Sequence, residues 1–314
     1  MDEVVIAGGS GFLGRALAAR LAAEGTPVVI LSRRSGQDFG PGIRRGAWGN
    51  LAQRLEGARA VVNLAGENLA GGRWTRARMD LLRSSRVEPT RWIVEALSAC
   101  TRPPSVLVNA SGAGYYGDTE VPVDEGAPPG SGFLADTCVA WEAEAVAAER
   151  IGIRVLRLRM GVVLAREGGA LPRLALPVRC FAGAPLGHGR QGFPWIHLED
   201  LLGLVQAALS DARWRGAVNA VAPSLTSQGE FTRSLGRVLR RPILPLPPSL
   251  SSGVLKVLLG RMADEMLLGG AFVRPAAALE RGFGFGFPDA RAALQDLLGP
   301  VRPLPPEGGG GPPR

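Results

Sequence analysis

The chain predicts a doubly wound α/β fold on a parallel sheet, followed by a smaller C-terminal α/β lobe. Three observations carry this reading. Short runs of Val, Ile and Leu alternate with longer helical patterns through the first half, the sequence form of repeated strand, helix, strand units. These strand runs hardly alternate between apolar and polar, as strands buried on both faces do not. A glycine-rich turn separates the first strand from the first helix, where such folds hold ligands.

The elements follow in order. Residues 4–8, an unbroken apolar run, form the first strand, and residues 12–24 an amphipathic helix. Pro27 opens a second strand over 27–33, and a third, 60–66, ends in small residues. Residues 74–100 read as a long helix broken at Pro89, since proline lacks the N–H that a helix interior uses. Strand 105–111, helix 133–150 and strand 154–164 repeat the alternation. Beyond Leu164 the prolines 172, 177, 185 and 194 and a Gly-rich stretch over 183–192 interrupt it. A helix over 198–209, with Asp200 as its cap, and a strand over 217–221 bring the chain back to the sheet. A further helix starts near Thr226, a Pro-rich segment covers 241–248, an apolar helical region follows, and the last element ends near Leu298. The organisation expected is a nucleotide-binding domain over 1–225, with a partly substrate-facing excursion at about 165–200, a closure lobe over 226–300, and a disordered tail over 301–314.

Of the 314 residues, 36 are Lys or Arg, yet Lys256 is the one lysine, and the formal net charge is +8. The arginines are scattered among acidic residues without a basic block or aromatic stripe, so nucleic acid is not the expected partner. No stretch approaches the roughly 20 apolar residues of a membrane span, and the N-terminus, Met1-Asp2-Glu3, lacks the basic, apolar form of a secretion signal. A cytoplasmic protein with no membrane partner is expected. Cys100, Cys138 and Cys180 are widely spaced without a CxxC pair, so buried free thiols are expected. His188 and His197 have no further ligand at matching spacing, and no metal site is expected.

Gly8, Gly11 and Gly14 stand in the run Gly8-Gly9-Ser10-Gly11-Phe12-Leu13-Gly14. Such glycines serve a tight turn, a close backbone approach to a pyrophosphate, and close packing of helix on strand. The helix N-terminus adds unpaired N–H donors for phosphate. The second strand ends in Ser32-Arg33-Arg34, where an NAD site would carry an acidic residue for the ribose 2′-hydroxyl; a hydroxyl and two guanidiniums suit a 2′-phosphate, so NADP(H) is the cofactor expected. Leu64, Ala65 and Gly66, at the carboxyl end of the third strand, let the middle of the cofactor pass close to the backbone.

The glycine loop, Val61 to Gly66, the segment Asn109 to Asp118 and the run Phe193-Pro194-Trp195-Ile196-His197-Leu198-Glu199-Asp200 together resemble the extended short-chain dehydrogenase/reductase superfamily. They are most similar to an atypical branch of it, epimerase-like proteins that carry a C-terminal domain of unknown function and a cell-division-inhibitor-like label. Arg73-Trp74-Thr75, Ser84-Ser85-Arg86, Tyr115-Tyr116-Gly117-Asp118, Trp141-Glu142, Gly168-Gly169-Ala170-Leu171 and Gly282-Phe283-Gly284-Phe285 carry the branch-level likeness, which spans about residues 3 to 298. The resemblance implies a Rossmann domain that binds NADP(H) and a C-terminal lobe closing over the cleft of an unknown small-molecule substrate.

The superfamily's usual machine is a Tyr whose proton affinity is lowered by a Lys four residues later, helped by a Ser or Thr on the preceding strand. Here the tyrosines are Tyr115 and Tyr116 alone, so no YxxxK can be drawn. By the resemblance the pair's positions fall near Thr137 and Trp141, and the Ser position at Ser111 or Gly112. General acid and base catalysis is worth about 10²–10⁴-fold. The candidates left are Tyr115, Tyr116 and Ser111, with Glu67 or Glu142 as carboxylate substitutes and Arg86, Arg157 or Arg159 as the cation. Packed tyrosines capping backbone groups are the structural alternative, and His197 is expected to tie the returning chain to the domain. Trp74, Trp141 and Trp195 are expected to line a cleft or core. Two readings stand: an NADP(H)-dependent oxidoreductase or epimerase-like enzyme with a non-standard proton donor, and a regulator that holds NADP(H) and works through a protein partner, in cell division if the family label is a guide.

Overall fold

The computed structural model describes residues 2–32 and 38–299, apart from the side chains of Val254, Leu258 and Leu259. Arg33, Arg34 and the segment 301–314 lie outside the described residues. In chain order the elements are β1 (Val4–Ala7), α1 (Phe12–Ala23), β2 (Val28–Leu31), β3 (Ile43–Gly46), α2 (Leu51–Leu55), β4 (Ala60–Asn63), α3 (Arg76–Ser98) and β5 (Val106–Gly112). A 3₁₀ turn (Ala113–Tyr116) leads to β6 (Thr119–Val123), α4 (Phe133–Val146), a second 3₁₀ turn (Ala147–Ile151), β7 (Arg154–Met160), β8 (Val162–Leu164), α5 (Leu171–Arg179), β9 (Trp195–His197), α6 (Leu198–Ser210) and β10 (Gly216–Ala220). The C-terminal part holds α7 (Gln228–Leu239), α8 (Pro248–Leu259), α9 (Arg261–Ala263) running into a π turn (Asp264–Leu268), β11 (Ala271–Val273), α10 (Ala276–Glu280) and α11 (Ala290–Leu298).

The main sheet is parallel throughout, in the order β10, β7, β5, β4, β1, β2, β3. Alternate residues of each strand feed opposite layers. Val4, Ile6, Ile30, Val62, Val108 and Leu156 pack on α1 and α6, whereas Val5, Val29, Val61, Leu107 and Val155 pack on α3 and the 3₁₀ turn after α4. That double burial is why the strands read as continuous apolar runs, and each fully buried Ile or Leu stabilises by about 1.5–3 kcal/mol over the exposed side chain. The chain winds outward from β1 in one direction and from β4 in the other, so a crevice opens at the carboxyl ends of these two strands.

Several elements differ from expectation. Helix α3 runs unbroken through Pro89: Thr90 Oγ1 donates to the Arg86 carbonyl at 2.7 Å, and Leu82, Ile93 and Leu97 bury both halves of the helix. The expected strand 154–164 divides, because β8 leaves the main sheet to pair with β9. The expected helix 133–150 tightens into the 3₁₀ turn after Val146. Helix α6 is capped by His197, whose Nδ1 accepts from the Glu199 N–H at 3.1 Å, and not by Asp200. Cys138 is buried, but Cys100 is half-buried and Cys180 exposed. The elements not foreseen, β3, β6, β9, β11, α2 and α5, are short; β6 and β11 form a separate parallel pair. Helix α5 shares a core with α7 and α11 through Leu171, Ala175, Phe231, Leu235, Ala293 and Leu294. Among the described residues no helix is long and apolar enough to cross a membrane, and no group of three or more His, Cys, Asp or Glu is arranged to hold a metal ion.

Candidate functional site

The floor of the crevice is the glycine loop. Gly8 turns with a φ of 75°, a conformation that side chains rarely adopt, and a Cβ there would stand 2.6 Å from the Leu64 carbonyl carbon at the end of β4. The loop closes through the Gly11 N–H, which donates to the Gly8 carbonyl at 3.0 Å. A Cβ on Gly14 would stand 2.4 Å from the Gly9 Cα, so helix α1 begins flush against the turn. Gly11 caps α1 without a side chain, which leaves the N–H groups of Phe12 and Leu13 and the positive end of the helix dipole for an anion. This cradle, open where a Cβ would fill it, fits a diphosphate. Ser10 is half-buried at its rim, and Ser32 is buried at the end of β2 with its N–H donating to the Gly46 carbonyl at 3.0 Å. Leu64, Ala65 and Gly66 lie opposite, with Gly66 exposed.

The wall beside this cradle is built on the strand ends of β5, β7 and β10. In their parallel register Ser111, Arg159 and Asn219 stand in one row, and Asn63, Asn109 and Arg157 in another. Glu142 of α4 lies between the rows, 3% exposed. It accepts from the Ser111 hydroxyl at 2.7 Å, from Arg159 at 2.8 and 2.9 Å, and from Arg157 at 3.3 Å. Burial works against the charge on Arg159, yet its bonds to Glu142 hold the guanidinium above its ordinary range. The same guanidinium donates to the Tyr116 hydroxyl at 3.0 Å, and that hydroxyl donates to Asn219 Oδ1 at 2.7 Å. Burial raises the Tyr116 phenol above its usual range despite the neighbouring cation. Tyr116 is a bracing residue in this geometry, not an ionisable one near neutrality.

Tyr115 differs. It is half-buried, the Arg159 guanidinium lies 3.4 Å from the centre of its ring, and the two tyrosine rings meet edge to face at 5.3 Å. Among the described residues its hydroxyl makes no hydrogen bond.

Helices α3 and α4 form the third side. Thr137 and Trp141 both point into protein: the Thr137 hydroxyl is buried without a hydrogen-bond partner among the described residues, and the Trp141 indole N–H donates to Thr90 Oγ1 at 2.9 Å. Thr90 accepts in turn from Asn63 Nδ2 at 2.8 Å, and Asn63 bridges to Asn109 at 2.7 Å. Arg86 lies over the Trp141 ring at 5.5 Å. Cys138, whose thiol burial pushes up to about 11, is inert beside Gly112. Glu67 is half-buried and 3.7 Å from the Arg78 guanidinium.

The C-terminal part is tied to these walls by single side chains. Glu265 accepts from the N–H groups of Phe133 and Leu134 at 2.9 and 3.2 Å, and so caps α4 from a segment more than a hundred residues away. Met262 and Met266 pack with Trp74, Leu82 and Phe133. On the other side Asp200 receives the N–H groups of Gly286 and Phe287 at 2.7 and 3.0 Å, while His197 stacks on Phe287 at 3.7 Å. The His197 Nε2 stands 3.3 Å from Asp296 without hydrogen-bond alignment, and burial lowers the imidazole below its ordinary range. His197 therefore ties the chain together, as its sequence context implied. The Phe12 ring meets the loop at Gly168 and Gly169, which brings the excursion back over the cradle.

The fold thus gathers Gly8, Ser10, Gly11, Phe12, Leu13, Gly14, Leu64, Ala65 and Gly66 at one crevice. It sets Ser111, Tyr115 and Tyr116 on the adjacent wall, with the hydroxyls of Ser111 and Tyr116 already engaged. The buried polar residues Asn63, Thr90, Asn109 and Asn219 and the half-buried Glu125 were not singled out from sequence. Their signal was there: each asparagine interrupts an otherwise apolar strand run, which a buried strand tolerates only with a partner.

Comparison with known proteins bears on the same residues. Residues 4–220 match the model of the NAD dependent epimerase/dehydratase family, and residues 251–297 a domain of unknown function, DUF1731. The chain is 38% identical over 303 residues to the epimerase family protein SDR39U1 of Bos taurus, covering 94% of this chain and 99% of that one. It is 38% identical over 310 residues to the chloroplastic SDR39U1 homolog of Arabidopsis thaliana, covering 94% and 86%. It superposes on the crystal structure of human SDR39U1 (isoform 2) with NADPH at a TM-score of 0.84 and 36% identity, covering 94% of this chain and 98% of that one.

Proposed function

The chain belongs to the NAD dependent epimerase/dehydratase family, in its branch with a DUF1731 domain, and from that premise we propose that it is an NADP(H)-binding oxidoreductase or epimerase-like enzyme that uses Tyr115 in place of the absent Tyr–Lys pair. Gly8 to Gly14 hold the diphosphate, Leu64 to Gly66 admit the middle of the cofactor, and Ser32, Arg33 and Arg34 select the 2′-phosphate. The NADPH named with the human relative supports this choice. When bound, the nicotinamide donates or accepts hydride at its C4 carbon. Residues 1–225 form the cofactor domain, with the excursion at about 165–200 facing substrate, and 226–300 form the closure lobe; Glu265 capping α4 supports that division.

One observation carries the catalytic part: among the described residues the Tyr115 hydroxyl, unlike that of Tyr116, has no hydrogen-bond partner, and its ring is fixed beneath Arg159. The Glu142 carboxylate fixes Arg159, Arg159 fixes the ring, and the Tyr115 hydroxyl is left to bond the reacting oxygen of a small polar substrate. Supplying the NADPH-bound protein with aldehydes, ketones and nucleotide sugars, and following absorbance of the reduced nicotinamide, tests the assignment. Tyr115→Phe is expected to lose on the order of 10²-fold in turnover with NADPH affinity retained; unchanged turnover in that variant excludes Tyr115.

The second reading is a regulator that holds NADP(H) and acts through a protein partner. The engagement of the Ser111 and Tyr116 hydroxyls within the wall favours it. Tight NADPH binding with no oxidation by any of these substrates decides for that reading.

A further inference from the structure

We propose that Arg86 supplies the cation of the reaction centre from helix α3, and that it makes the site prefer the reduced, uncharged nicotinamide over the oxidised, cationic one. The inference rests on the NADP(H) reading above and adds a charge selectivity to it.

Five observations converge on this residue. The guanidinium closes the crevice behind Gly66, where a Cβ would stand 3.2 Å from its Cζ. It donates to the carbonyls of Glu67 at 3.0 Å and Leu82 at 2.8 Å, which aim it without supplying a counter-charge. Among the described residues no carboxylate stands within ion-pair distance of it; Cys138 and Glu67 act on its charge from further off, and Arg78 opposes them. Its Cζ lies over the Trp141 ring, 5.5 Å from the ring centre, and that ring is itself held by Thr90. Burial lowers the Arg86 guanidinium below its ordinary range, the mark of a cation partly stripped of water.

A half-buried cation without a paired carboxylate is costly unless a ligand repays it. The crevice beside Gly66 is where the oxygen-rich middle of a dinucleotide passes, and its ribose and diphosphate oxygens are suitable acceptors for a guanidinium. The same positive charge repels a pyridinium in a low-dielectric site and leaves a dihydropyridine untouched. A lysine four residues beyond a tyrosine on α4 would bring its charge from the opposite side. Here Trp141 occupies that register, and the neighbouring helix delivers a guanidinium across it.

Fluorescence and calorimetric titration of the full chain with NADPH and with NADP⁺ tests this without any turnover. In Arg86→Gln, NADPH affinity is expected to fall about tenfold, and the ratio of the NADP⁺ to the NADPH dissociation constant to fall at least about fivefold. Arg86→Lys, which keeps the charge, is expected to retain most of that ratio. Equal weakening toward both cofactors in Arg86→Gln, or no weakening at all, overturns the proposal while the wild-type affinity for NADPH leaves the cofactor reading intact. Failure of the wild type to bind either cofactor sinks both. Thermal melting of each variant shows that the titrated protein is folded.

Discussion

At the scale of single residues, the wall of the crevice is one charge network with Glu142 at its centre. Glu142 neutralises Arg159 and Arg157 and holds the Ser111 hydroxyl, all at the carboxyl ends of buried strands. Removing one member leaves a buried charge unpaired, so Glu142→Ala is expected to lose on the order of 3–5 kcal/mol in urea unfolding. Tyr116→Phe leaves Asn219 Oδ1 without its donor and takes one acceptor from Arg159, and is expected to cost about 1–3 kcal/mol, whereas Tyr115→Phe, with no hydrogen bond to lose, is expected to leave the midpoint unchanged. His197 supplies a pH signature. Burial holds its imidazole below the usual 6.5, so the unfolded chain binds more protons just below that value. Stability is full above about pH 6.5 and declines as pH falls from there toward the lowered value. His197→Asn, which keeps an acceptor at the cap, is expected to flatten that decline in urea titrations on either side of the transition. The residue pattern was partly legible in advance. Counting one lysine and two adjacent tyrosines excluded the Tyr–Lys pair outright, but which tyrosine stays available depends on Asn219, more than a hundred residues downstream, and no local pattern encodes that.

At the scale of elements, the glycine loop and helix α3 show what a sequence pattern can and cannot carry. The spacing of Gly8, Gly11 and Gly14 between an apolar run and a helix was enough to place the cradle, because the steric demand is local: a turn, then a helix start. Gly8→Ala puts a methyl group against the end of β4 in a backbone region alanine avoids, and it is expected to abolish NADPH binding in a titration while the protein still folds with a lowered melting temperature. Helix α3 was read as broken, since proline penalises a helix interior by about 3 kcal/mol in isolation. Tertiary burial on both sides of Pro89 offsets that penalty. Pro89→Ala is therefore expected to raise stability by on the order of 1 kcal/mol, part of the restored bond being offset by the freer unfolded chain; a loss of stability in thermal melts contradicts the account. Strands β3, β6, β9 and β11 escape notice because three to five residues are too few for a period to register. Their partners are set by chain return, not by local composition.

At the scale of the molecule, the C-terminal part is latched to the rest of the fold from two sides. Glu265 caps α4 on one side, and Asp200 receives the backbone of Gly286 and Phe287 on the other. Those latches explain why the chain leaves the sheet after β7 and returns for β10: the excursion supplies α5 to the C-terminal core and Gly168 to the face of Phe12. The layering of the sheet and the place of the crevice could be read from strand order and apolar runs, while the latches, single side chains reaching across the fold, could not. The central claim is that this crevice holds NADP(H) on the Gly8–Gly14 cradle. Its most direct test is calorimetric titration of the full chain with NADPH and NADH, in the wild type and in Gly8→Ala. The account expects one NADPH per chain, bound more tightly than NADH and lost in the variant. Absence of NADPH binding in the wild type, or binding that Gly8→Ala leaves unchanged, would contradict it.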